Sequence, residues 1–166
     1  MVIFLEELTN KNIDEKIKNI FKDKKLKFKY SFNSNCENDT LNLGYLFAKY
    51  ISISDVVTLN GELGSGKTVF VKGIGKHFNI QDDISSPTFT IVNEYNTNSF
   101  PIYHFDVYRI NDMYNFLDTI GTDYFSKGAC FIEWGEILDE ILPRNTIHID
   151  FKKLNDNTRN IIIWRR

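Results

Sequence analysis

Gly61-Glu62-Leu63-Gly64-Ser65-Gly66-Lys67-Thr68 fits the pattern G-x-x-x-x-G-K-[ST] at every fixed position. The octet follows a short apolar run, Val56, Val57 and Leu59, and precedes a helical stretch from Lys67 to about Phe78. Strand, glycine-rich turn and helix in that order make a phosphate loop of the Walker A kind. Glycine is needed because the backbone must curl around phosphate oxygens and present its N–H groups, which a Cβ would obstruct. The helix behind the loop adds the positive end of its dipole. Lys67 is placed to neutralise the β and γ phosphates, and the Thr68 hydroxyl to ligate Mg²⁺.

Upstream of the loop, Asn38 or Asp39 caps a helix carrying Leu41, Tyr45 and Ala48 that ends before Ser52. Downstream, Phe89 to Tyr95 and Ile102 to Arg109 are β-rich runs joined by the turn-prone Asn96-Thr97-Asn98-Ser99, which reads as a hairpin. A short helix is expected over Met113 to Leu117, an apolar strand over Ala129 to Ile132 and a helix over Ile137 to Leu142, stopped by Pro143. Thr146 to Phe151 and Asn160 to Trp164 close the domain around Asn155-Asp156-Asn157. Strands alternating with helices, with hairpins added, give an α/β fold: a three-layer P-loop NTPase-type domain with a mixed central sheet.

With 166 residues, 42% hydrophobic and 14% aromatic, the chain can close one core. Residues 30–166 form the loop-bearing domain, and residues 1–29 read as a Lys- and Asn-rich extension with Ile13, Ile17 and Ile20 at helical spacing. The net charge of −2 gives no global attraction to nucleic acid. The first 30 residues hold eight Lys against five acids, with the excess concentrated over Lys22 to Lys29; that stretch reads either as an RNA-touching edge or as a solvated face. Cys36 and Cys130 have neither disulfide-framework nor zinc-site spacing, which points to a reducing compartment. The apolar start, Val2 to Leu5, runs into Glu6 and Glu7 and is too short for a signal peptide. No stretch approaches the ~20 apolar residues of a membrane span. The expectation is a cytoplasmic protein that does not contact membrane or DNA.

A phosphate loop does not name the reaction, so the acids matter next. Cys130-Phe131-Ile132-Glu133 ends an apolar strand in a carboxylate, the place of a Walker B acid, where Glu133 would hold a metal-bound water or polarise the attacking one. In His104-Phe105-Asp106-Val107-Tyr108-Arg109, alternation puts His104, Asp106 and Tyr108 on one face, making Asp106 the second acid at the metal. His104 reads as a hydrogen-bonded structural histidine in preference to a catalyst, and Arg109 equally as a functional residue or as a structural ion-pair partner. In Ser85-Ser86-Pro87-Thr88-Phe89-Thr90, Pro87 stiffens the backbone, and Thr88 serves either as a γ-phosphate sensor or as a turn-capping hydroxyl.

Together these segments resemble one family, the bacterial ATPase of tRNA threonylcarbamoyladenosine biosynthesis, TsaE. The matching pieces are T-L-N-L-G at Thr40–Gly44, D-V-V-T-L-N-G-E-L-G-S-G-K-T at Asp55–Thr68, S-P-T-F-T-I-V-N-E-Y at Ser86–Tyr95, Y-H-F-D-V-Y-R at Tyr103–Arg109 and F-I-E-W at Phe131–Trp134, over residues 33 to 162. The resemblance implies a weak Mg²⁺-dependent ATPase acting within a complex. Its implied partners are the threonylcarbamoyl-transferase subunit TsaD and the paralogue TsaB, with tRNA reached through them; the reaction served is modification of adenosine 37 in tRNAs reading codons that begin with A. Carried over by position, Glu62, Leu63, Gly64, Ser65, Gly66, Lys67 and Thr68 are the phosphate loop. Thr68, Glu133 and Asp106 lie at the metal, with Glu133, Asp106 and Lys67 catalytic. Thr88 is the switch, Trp134 sits beside the site, and Arg159 is near the base.

Two rivals share the loop. A small-molecule kinase needs a lid with arginines, yet the five Arg fall at 109, 144, 159, 165 and 166, none clustered behind the loop helix. A GTP switch is suggested by Asp118-Thr119-Ile120-Gly121, which fits D-x-x-G, but the guanine-reading N-K-x-D is absent.

Overall fold

The fold is that of a computed structural model, which describes residues 10–22 and 27–165. The apolar start at Val2 to Leu5 and the middle of the basic stretch, Asp23 to Leu26, lie outside the described residues.

The elements run α1 (Asn10–Lys22), β1 (Phe28–Ser34), α2 (Glu37–Ala48), β2 (Val56–Asn60), α3 (Lys67–His77), β3 (Val92–Tyr95) and β4 (Ile102–Asp106). Then follow α4 (Met113–Thr119), α5 (Tyr124–Lys127), β5 (Ala129–Glu133), a 3₁₀ turn (Gly135–Leu138), β6 (Ile147–Lys153) and β7 (Arg159–Arg165). One seven-stranded sheet has the order β1-β7-β6-β2-β5-β4-β3. Its centre, β6, β2, β5 and β4, is parallel, while β3, β7 and β1 join antiparallel. The expected mixed sheet is therefore present.

Apolar side chains on both sheet faces produce three layers. On one face Ile17 and Ile20 of α1, Leu43 and Phe47 of α2 and Phe70, Val71 and Ile74 of α3 pack on Val57, Leu59, Phe131, Ile149 and Ile163. On the other, Phe116, Phe125 and Leu138 cover Val56, Phe105, Cys130 and Ile132. β2 and β5 are buried on both faces, as a central parallel strand must be, so apolar residues fill Val56–Leu59 apart from Thr58 and run from Ala129 to Ile132. β1 pairs with β7 along its whole length from Phe28↔Arg165 to Ser34↔Arg159, crossing the 29/30 division, and Ile17 and Ile20 share a core with Phe47 and Phe70.

Several boundaries differ from the sequence reading. α2 starts two residues earlier than an Asn38 cap would allow and three earlier than an Asp39 cap, with extended Cys36 as the residue before it. Asp39 lies inside the first turn and accepts from the Asn35 N–H at 2.9 Å, a carboxylate reaching backward as in a capping box. The first hairpin strand is shortened to Val92–Tyr95 because Ile91 holds φ +67° and its N–H turns back to the Pro87 carbonyl at 2.7 Å. β4 stops at Asp106, whose carboxylate takes the Tyr108 N–H at 3.0 Å. The helix expected at Ile137–Leu142 is a 3₁₀ turn at Gly135–Leu138: Trp134, at φ +62°, swings the chain out of β5 one turn sooner. No helix among the described residues is long and apolar enough to cross a membrane.

Candidate functional site

Residues 61–66 leave the C-terminal end of β2 and deliver the chain into α3 at Lys67. Gly61 and Gly66 sit at φ +144° and +107°, where a side chain would be strained, so the glycines make this curl possible. The loop borders a cleft of about 540 Å³ lined by Leu63 to Val69, Ser86, Thr88, Asp106, Tyr108, Glu133 and Trp134.

Lys67 is 4% exposed. Its Nζ donates to the Gly61 and Glu62 carbonyls at 2.7 and 3.0 Å and lies 4.2 Å from the centre of the Trp134 ring. Burial pushes its ammonium below the ordinary lysine range, and Glu133, Asp106, Glu136 and Glu62 pull it partly back. The cation is thus already stripped of much of its water and held by groups that an anion can displace.

The acids come from the strands beside the loop. Parallel pairing of β4 and β5 sets Asp106 opposite Glu133, and β5 lies next to β2. The Thr68 hydroxyl donates to Glu133 Oε1 at 2.8 Å, which commits its hydrogen and leaves its oxygen lone pairs for another partner. His104 Nε2 reaches the same Oε1 at 3.0 Å. His104 is hydrogen-bonded, as the sequence reading has it, but its partner is the candidate acid. Asp106 Oδ2 accepts from Ser86 at 2.6 Å and Thr88 at 2.7 Å, so the carboxylate ties down the Ser-Pro-Thr segment.

Among the described residues no group of three or more His, Cys, Asp or Glu side chains forms a metal cage. Magnesium takes one or two carboxylates together with water and phosphate oxygens, and Thr68 with Glu133 and Asp106 offers hard oxygens of that kind. The residues present therefore fit the ion, provided a phosphate completes its ligands.

Arg159 reaches the loop from outside the cleft. Its Nε and Nη2 donate to the Ser65 and Gly64 carbonyls at 3.1 and 3.3 Å, and Nη1 holds the Asn155, Asp156 and Thr158 carbonyls at 2.9 to 3.2 Å. It borders a second cleft of about 230 Å³, shared with Cys36, Thr40, Gly64, Gly66 and Asn157. Ser86, Tyr108 and Val69 line the main cleft without having been singled out by the sequence reading. For Ser86 the signal is its place beside Pro87 and Thr88; for Tyr108 it is the alternation that groups it with Asp106. Arg109 makes a contact that the sequence reading did not foresee, its guanidinium lying 4.6 Å from the Phe89 ring centre. Asp118 to Gly121 ends α4, with Gly121 N–H on the Phe116 carbonyl at 3.1 Å, and does not line the main cleft.

The profile of the family described as "Threonylcarbamoyl adenosine biosynthesis protein TsaE" matches residues 34–161. The tRNA threonylcarbamoyladenosine biosynthesis protein TsaE of Bacillus subtilis is 40% identical over 125 residues, 74% of this chain and 77% of that protein. Its counterpart in Treponema pallidum is 38% identical over 132 residues, 78% of this chain and 96% of that protein. Among solved structures, Bacillus subtilis YdiB superposes with a TM-score of 0.70 at 33% identity, covering 84% of this chain and 87% of that one. With its phosphate loop, strand-borne acids, profile match and relatives in agreement, the chain belongs to the TsaE family.

Proposed function

We propose that this protein binds ATP with Mg²⁺ and hydrolyses it slowly, in support of threonylcarbamoylation of adenosine 37 in tRNAs that read codons beginning with A. The observation that carries the reading is the Gly61–Thr68 loop with Thr68 bonded to Glu133, a hydroxyl and a carboxylate joined beside a buried lysine at the mouth of a cleft. In this reading the loop N–H groups and Lys67 hold the phosphates. Magnesium, when bound at Thr68, Glu133 and Asp106, neutralises charge on the phosphate oxygens. Glu133 holds or polarises the attacking water, while Ser86 and Thr88 exchange their bonds to Asp106 for the γ-phosphate and so report its presence. Trp134 shields Lys67, and Arg159 keeps the loop closed from behind. The second cleft, on the Cys36 and Arg159 side of the loop, takes the nucleoside end.

Among the described residues no arginine lines either cleft except Arg159, whose guanidinium is spent on backbone carbonyls. That supports slow turnover by the isolated chain and stimulation by partners, for which TsaD and TsaB are the candidates. The test mixes the purified protein with TsaD, TsaB and tRNA and measures ADP and modified adenosine together. ATP-dependent modification with ADP released faster than from the protein alone supports the reading. No heat of ATP binding in calorimetry, or tighter GTP than ATP in competition, would overturn it.

A further inference from the structure

His104 is 0% exposed and carries two ring nitrogens with unequal fates. Nε2 lies 3.0 Å from Glu133 Oε1, and because a carboxylate oxygen only accepts, Nε2 carries the hydrogen. Nδ1 is buried and has no partner among the described residues. Leaving a buried polar atom unsatisfied is unfavourable, and a phenyl ring of similar shape would avoid it. The fold accepts that cost at His104, on the strand beside the candidate acid; His77 Nδ1 is also buried without a partner among the described residues.

What Nε2 does for Glu133 follows from where its two donors stand. The carboxylate torsion of a glutamate is broad, so one hydrogen bond leaves the group free to swing. Thr68 supplies one bond from the first turn of α3, an element continuous with the phosphate loop. His104 supplies the other from β4, held between β5 and β3 in the sheet. Both fall on Oε1, and Oε2 takes no hydrogen bond among the described residues. The histidine thereby fixes the acid relative to the sheet, whatever the loop does.

Resting on the ATPase reading above, we infer that His104 is the positioning residue of Glu133, holding Oε1 so that Oε2 stays presented to the cleft. It touches neither phosphate nor water itself. Groups that orient a metal-site carboxylate typically contribute about 10- to 100-fold.

The test compares His104→Phe, His104→Gln and His104→Asn, each checked for folding by thermal melt, in the full chain with TsaD, TsaB and tRNA. Gln places an amide N–H near Nε2, and Asn places it near Nδ1. His104→Phe is expected to lower ADP release about 10- to 100-fold. Calorimetry should find ATP affinity in EDTA unchanged and the gain on adding Mg²⁺ reduced. His104→Gln is expected to restore most of both losses, and His104→Asn neither. Equal recovery by Gln and Asn, or wild-type turnover and Mg²⁺ response in His104→Phe, overturns the inference while leaving the ATPase reading intact. Should His104→Phe not fold, the Gln and Asn pair decides. A wild-type protein that binds no ATP overturns both readings together.

Discussion

The Thr68 hydroxyl and Glu133 Oε1, 65 positions apart in sequence, are joined by a 2.8 Å hydrogen bond that ties the first turn of α3 to the end of β5. That bond lets the hydroxyl orient the acid and face the cleft with its lone pairs at the same time. Glu133→Gln keeps an oxygen for Thr68 but removes the charge. We expect ADP release to fall at least about 100-fold, the range of a lost general base, with ATP affinity in EDTA unchanged in calorimetry and the gain on adding Mg²⁺ reduced.

Lys67 makes a prediction whose sign follows from burial. Its folded ammonium is depressed relative to the unfolded chain, so the unfolded state holds that proton more tightly. The penalty on the folded state is full below the depressed value and fades as the pH rises through the ordinary lysine range, about 10. Wild-type protein should therefore gain melting temperature relative to Lys67→Met as the pH is raised from 7 toward 10. The same substitution removes a charge-assisted contact worth about 1.5–3 kcal/mol and should weaken ATP binding roughly 10- to 100-fold.

Gly44 and Gly73 let α2 and α3 cross with their backbones in contact. A Cβ on Gly44 would strike the Phe70 carbonyl, and one on Gly73 the Leu41 carbonyl and the Tyr45 N–H. Backbone cannot move aside as a side-chain tip can. Gly44→Ala or Gly73→Ala should destabilise by about 1–3 kcal/mol in chemical denaturation, despite alanine's better helix propensity.

The two cysteines should separate under alkylation. Burial pushes the Cys130 thiol up to about 12, so almost no thiolate forms near neutrality, whereas Cys36 is exposed. Iodoacetamide on native protein should add one label, at Cys36, by mass spectrometry, and a second at Cys130 only after unfolding. Because Cys36 borders the smaller cleft beside Gly64 and Gly66, saturating ATP should slow its labelling.

Arg159 holds the loop from a hairpin 94 positions away from Ser65. Arg159→Met should leave the melting temperature nearly unchanged, since most of its bonds are to partly exposed carbonyls, but lower ATP affinity about 5- to 20-fold by loosening the loop.

The phosphate loop is legible in the sequence because its chemistry is local. Eight consecutive residues carry their own turn, their own donors and the start of their own helix, and no distant contact is needed to recognise them. The apolar runs Val56–Leu59 and Ala129–Ile132 likewise declare strands buried on both faces. Element ends are less legible, because they depend on competitors outside the window. Asp106 ends β4 by capping Tyr108, and Trp134 redirects the chain after β5, both through geometry set by neighbouring strands.

The sequence is enough to show that a glycine-rich loop of Walker A pattern, two strand-end acids and a serine-proline-threonine segment exist in this chain. Only the tertiary structure decides that β5 lies between β2 and β4. That order brings Glu133 to Thr68 and His104, and the same fold ties Asp106 to Ser86 and Thr88. Only the packed structure shows Gly44 and Gly73 to be the places where two helix backbones touch. The reason is one of range: backbone curvature and capping are decided within a few residues, whereas which side chains meet is decided by the burial of whole faces, summed over elements far apart in the chain.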